Sequence, residues 1–74
     1  MRERLLKVLQ EEYPEVDFLT DADLVDDGVV DSLTIVGVIS AISLEFGVTL
    51  PYEEIIPQNF NSVDAMVALI EKYV

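Results

Sequence analysis

A chain of 74 residues has room for one small domain, near the size where a single core barely offsets the entropy of ordering the backbone, so its large apolar residues are needed for folding first. It contains no cysteine and no histidine, which removes disulfides, thiolate nucleophiles, the usual zinc-finger ligands and imidazole bases, and with them most routes to independent catalysis. Fifteen acids against four bases give a net charge of −11, which excludes nucleic acid as a partner, while a 51% apolar share fits a folded chain rather than an acidic disordered tail.

The first predicted element is an amphipathic helix from Glu3 to Tyr13, where Leu5, Leu6, Leu9 and Tyr13 recur at three- and four-residue spacing and Pro14 ends the pattern. Its opening, MRERLLKVLQEEY, is charged throughout and lacks the unbroken apolar segment of a secretion signal. A cytoplasmic protein is expected. Glu15 to Asp31 has no helical period, but Val16, Phe18, Leu19, Leu24 and Val25 stand there among aspartates, and a long loop pinned across the core by these residues is predicted.

Within that loop DADLVDDG, Asp21 to Gly28, invites comparison with a calcium-binding loop. Putting Gly28 in the glycine position leaves Val25 and Thr34 where carboxylates are required. Starting at Asp21 puts Asp26 in the glycine position and Ser32 in that of the bidentate acid. The spacing argues against a calcium-binding loop of this type, leaving a solvated acidic loop or weak divalent-ion binding by its carboxylates, with no structured metal site expected.

Asp31 or Ser32 then caps a second helix, since either side chain can accept a hydrogen bond from a first-turn N–H, and Gly47 stops the helix after Phe46. Its core face is Ile35, Val38, Ile39, Ile42 and Phe46. The other face carries Leu33, Val36, Gly37, Ser40, Ser43 and Leu44, with Glu45 as the only charge, where a solvated helix normally carries several. Gly37 itself costs roughly 1 kcal/mol relative to alanine in a helix interior. Such a neutral face makes sense where another surface packs on it. The least polar window, Leu33 to Leu44, is about 12 residues against the ~20 that span a bilayer, so no membrane insertion is expected.

Pro51 stands at a helix-start position, and Tyr52 to Ile56 are predicted to form one short turn that Pro57 closes, with Ile55 and Ile56 turned inward. Asn61 or Ser62 caps a last helix whose stripe is Val63, Met66, Val67, Ile70 and Tyr73 or Val74, with Asp64 near its positive end. The fold class is all-α: a small bundle of three main helices and one short helix with a long first loop, forming a single domain over residues 1–74.

The bases are Arg2, Arg4, Lys7 and Lys72, so Val8 to Glu71 holds fourteen acids and no cation. That field attracts partners with Lys/Arg patches, against a plainer role in solubility. Asp31-Ser32 has an ordinary reading as a capping pair. A reactive role for Ser32 requires another protein to activate it, because the chain supplies no base of the usual kind.

DDGVVDSLTIV, Asp26 to Val36, resembles the modification-site motif of phosphopantetheine-dependent carrier proteins. The resemblance continues through LEFGVTLPYEEI, Leu44 to Ile55, and NFNSVDAMVALIEKYV, Asn59 to Val74, with the blocks in order and matching spacing. It implies a four-helix bundle of acyl carrier protein type, with 4′-phosphopantetheine attached to Ser32 from coenzyme A by a phosphopantetheinyl transferase. It further implies that Asp31 helps to place the magnesium ion of that transfer, and that cargo is held as a thioester. The missing cysteine fits, because the working thiol arrives on the prosthetic group.

The implied partners are the transferase, an acyl- or aminoacyl-activating ligase and downstream acyl-transfer enzymes; a monomer is expected. The chain departs from the fatty-acid branch of the resemblance. Gly37, Ser43 and Leu44 stand where carriers of that branch look acidic, and Val29-Val30 before Asp31-Ser32 is more similar to D-alanyl and peptidyl carriers. A docking face of Leu33, Val36, Gly37 and Ser40, read by shape and apolar contact, is therefore expected. The alternative function is an acidic helical interaction module without a prosthetic group.

Overall fold

The computed structural model describes residues 1–19 and 22–74. Four α-helices occur among them, α1 (Arg2–Glu12), α2 (Ser32–Phe46), α3 (Pro57–Phe60) and α4 (Val63–Glu71), with a 3₁₀ turn at Tyr52–Glu54 and no strand among the described residues. The helix α1 packs on α2 and α4, and α3 packs on α4. Leu5 and Leu9 of α1, Val38 and Ile42 of α2, Phe60 of α3, and Val63, Met66, Leu69 and Ile70 of α4 are buried in one core. The bundle expected from the sequence is therefore present. No helix is long and apolar enough to cross a membrane among the described residues.

The helix ends follow local chemistry. Asp31, with extended backbone, accepts a hydrogen bond from the Thr34 N–H at 2.8 Å, so it is Asp31 and not Ser32 that caps α2. Gly47 ends that helix at φ 67°, a left-handed conformation that glycine adopts without Cβ strain, and its N–H donates to the Ser43 carbonyl. Ser62 caps α4 by accepting from the Ala65 N–H at 3.0 Å.

Asn61 has a different task. Its Oδ1 accepts from the backbone N–H of Val25 and of Asp26, its Nδ2 donates to the Asp26 carboxylate, and its carbonyl accepts from the Leu24 N–H. One residue thus stitches the long loop to the α3–α4 junction. The loop also closes on itself through Val30 N–H to the Leu24 carbonyl and Gly28 N–H to the Val25 carbonyl, with Gly28 at φ 76°.

Several expectations are corrected. Phe18 and Leu24 pin the loop as predicted, and Val30 joins them, but Leu19 is exposed because the Asp17 side chain accepts its N–H in a tight turn that turns residue 19 outward. Pro57 does not close a helix. It occupies the first turn of α3, where its missing N–H costs nothing, and the preceding turn is a three-residue 3₁₀ segment after Pro51. Ile55 is half-buried, but Ile56 is exposed. On α4 the buried stripe gains Leu69, while Tyr73 and Val74 lie past the helix end and are exposed.

Candidate functional site

Ser32 is the first residue of α2 and is exposed. Asp31 holds the capping position with its side chain, which leaves the neighbouring hydroxyl without a hydrogen-bond partner among the described residues. The Thr34 N–H, and after it the Thr34 hydroxyl, hold the Asp31 carboxyl below its usual range. A carboxylate, charged at neutral pH, therefore stands beside a free hydroxyl at the positive end of a 15-residue helix.

The same end of α2 borders an apolar groove of about 620 Å³ between α2 and the 51–57 segment. Its walls include Val30, Ile35, Ile39, Ile55 and Pro57, and Ser32 and Asp31 stand among its lining residues. Val25 and Gly28 line it as well, so the loop that Asn61 holds is part of this site. Tyr52, exposed on the 3₁₀ turn, lines it opposite Val36 of α2.

Of the expected docking residues, Leu33, Val36 and Ser40 lie exposed on α2. Gly37 does not belong with them. A Cβ at this position would overlap the Tyr13 hydroxyl, so the glycine is there to admit the Tyr13 ring from the end of α1. That close approach is invisible in a helical wheel, which carries no information about what stands on α1. Leu44, by contrast, is fully presented, at 88% exposure.

No group of three or more His, Cys, Asp or Glu side chains that could hold a metal ion occurs among the described residues. Asp21, the first acid of the calcium-like stretch, lies outside the described residues. Sequence reasoning missed Asn61 as a site residue and named it only as a possible cap; its position before Ser62 was the one available signal.

The arrangement fits a bulky group attached through phosphate to Ser32. The hydroxyl is unobstructed, first-turn N–H groups face that end of α2, and an apolar trough begins beside it. A protein-family model described as "Phosphopantetheine attachment site" matches residues 2–70. No curated protein and no solved structure matches the chain.

Proposed function

This chain belongs to the phosphopantetheine attachment site family and so has a carrier role with covalent 4′-phosphopantetheine; from that premise we propose that Ser32 is the attachment point and that the cargo is an acyl or aminoacyl group. The observation that carries the reading is the exposed, unbonded Ser32 hydroxyl at the start of α2, at the mouth of an apolar groove. When attached, the group supplies the thiol that holds cargo as a thioester.

The chain's own residues position and present. Asp31 fixes the start of α2 through Thr34, and its charge disfavours a second anion close by, which directs an attached arm outward. A magnesium ion bound during transfer would offset that repulsion; Asp31 would offer it one carboxylate, and the separate transferase would supply the base that takes the serine proton as the adenosine bisphosphate half of coenzyme A leaves. The chain itself performs no catalysis. Leu33, Val36 and Ser40 form the contact face for the transferase, for an acyl- or aminoacyl-activating ligase and for downstream acyl-transfer enzymes. On this reading residues 1–74 act as one monomeric carrier domain in the cytoplasm.

The test is to incubate the chain with coenzyme A, magnesium and a broad-range phosphopantetheinyl transferase and to weigh the intact protein. The expected result is a gain of one phosphopantetheinyl group, absent in Ser32→Ala. A gain that survives in Ser32→Ala refutes the assignment, and no gain in the wild-type chain refutes it as well.

A further inference from the structure

In a chain of net charge −11 the helix α2 has a single charged residue, Glu45, and Arg4 of α1 engages it. The Arg4 guanidinium donates to Glu45 Oε2 at 2.9 Å and to the Glu45 carbonyl at 2.7 Å, and it lies over the Phe46 ring, 4.7 Å from the centroid. Two hydrogen bonds and a ring contact hold this cation more firmly than a lone surface pair would. The outer surface of α2 is consequently neutral from end to end.

That surface is also continuous. Leu33, Val36, Ser40 and Leu44 recur at intervals of three, four and four residues, all exposed, and the distance from the first to the last is about 17 Å along the axis. The two ends of this stripe differ in their electrostatic surroundings. Asp26, Asp27 and Asp31 are exposed around the Ser32 end, and Glu53 is exposed next to Tyr52 across the groove. The four bases all belong to α1 or to the C-terminal end of the chain.

We propose that Arg4 is a specificity-determining residue: by neutralising Glu45 it keeps the Leu44 end of the stripe uncharged. The stripe then takes a protein partner that is apolar along the helix and cationic only where it meets the acids around Ser32. The inference rests on the assignment of Ser32 as the point of attachment. A second copy of this chain meeting it through the same stripe is a poor occupant, since that face brings the same acids around Ser32 and no cation to meet them. A partner with bases spread along its whole contact surface is disfavoured too, because nothing at the Leu44 end answers them.

A charge series tests this, with a broad-range phosphopantetheinyl transferase, coenzyme A and magnesium as the probe and intact mass as the readout. R4Q leaves a free carboxylate at the distal end, E45Q leaves a free guanidinium, and the double variant leaves neither. We expect the KM for the carrier to rise at least about three-fold in each single variant, with kcat unchanged, and to return close to wild type in the double variant. L44D, at an exposed position that leaves folding intact, raises KM as well.

A lower KM in R4Q means that partner cations reach the far end and overturns the proposal. A double variant as impaired as R4Q gives Arg4 a structural role only, and a flat series gives it none; either result overturns it. Wild-type self-association in sedimentation that L44D abolishes assigns the stripe to a second copy and overturns it too. Normal modification with a flat series refutes this inference alone, whereas no modification of the wild-type chain refutes the Ser32 assignment beneath it.

Discussion

Replacing Gly37 with alanine sets a helix-propensity gain against a steric loss, and the structure sets the balance. In an open helix interior the change would stabilise by roughly 1 kcal/mol. Here the new methyl would overlap the Tyr13 hydroxyl and stand 3.3 Å from Tyr13 Cζ, so the ring has to move. Tyr13 is half-buried against the core. The atom in the way is the outer end of a flexible side chain, so a small swing relieves the overlap and re-exposes only on the order of 20–40 Å² of apolar surface, about 0.5–1 kcal/mol at about 25 cal/mol/Å². The two effects nearly cancel, so Gly37→Ala should change stability by less than about 0.5 kcal/mol, or at most roughly 2–4 °C in Tm for a chain of this size. In a Tyr13→Ala background the obstruction is gone, and the same Gly37→Ala change should stabilise by about 1 kcal/mol. Urea and thermal melts of the four proteins in this cycle measure both values. The same gain of about 1 kcal/mol in the wild-type background as in the Tyr13→Ala background would show that Tyr13 is not what the glycine accommodates.

Asn61→Ala should cost about 1–3 kcal/mol by orphaning loop N–H groups and should speed hydrogen exchange at Val25 and Asp26, whereas Ser62→Ala should cost about 1 kcal/mol without that local signature. The Tyr73 hydroxyl, and after it Lys72, hold the Glu54 carboxyl below its usual range, while the same bond raises the Tyr73 phenol. The first contribution to stability is therefore present above the ordinary carboxylate range and lost as pH falls through the lowered value. The second is present below the ordinary phenol range and lost as pH rises through the raised one. Glu54→Gln should flatten both limbs of a Tm–pH profile, and limbs identical to wild type would contradict this account. Moderate salt or magnesium should raise Tm, because most of the fifteen acids have no cation to pair with; a melt insensitive to both would mean that this repulsion is negligible.

The elements most legible in the sequence were those whose signals are local. The Asp31 cap and the Gly47 stop bound α2 within a residue, because each acts through hydrogen bonds to its own turn. The Asp31-Ser32 step by itself reads as an ordinary helix cap, and the proposal for Ser32 comes from the longer resemblance through DDGVVDSLTIV. Gly37 falls on the outer face by its spacing, and its angular position says nothing about a ring arriving from the end of a helix two dozen residues earlier. Hydrophobicity alone places Leu19 inward, and an Asx-type turn at Asp17 overrides it. Pro57 suits a helix stop and a first turn equally well in the sequence, and only the surrounding backbone distinguishes the two. The masking of Glu45 by Arg4 depends on how α1 lies against α2, a fact of packing that spacing along the chain does not encode.

The Asn61 amide has a consequence for timing. It belongs to the last third of the chain, yet it organises backbone 36 positions earlier, beside the serine. The loop before Ser32 therefore cannot take its folded path until residue 61 is in place to bond it, and the two regions order together.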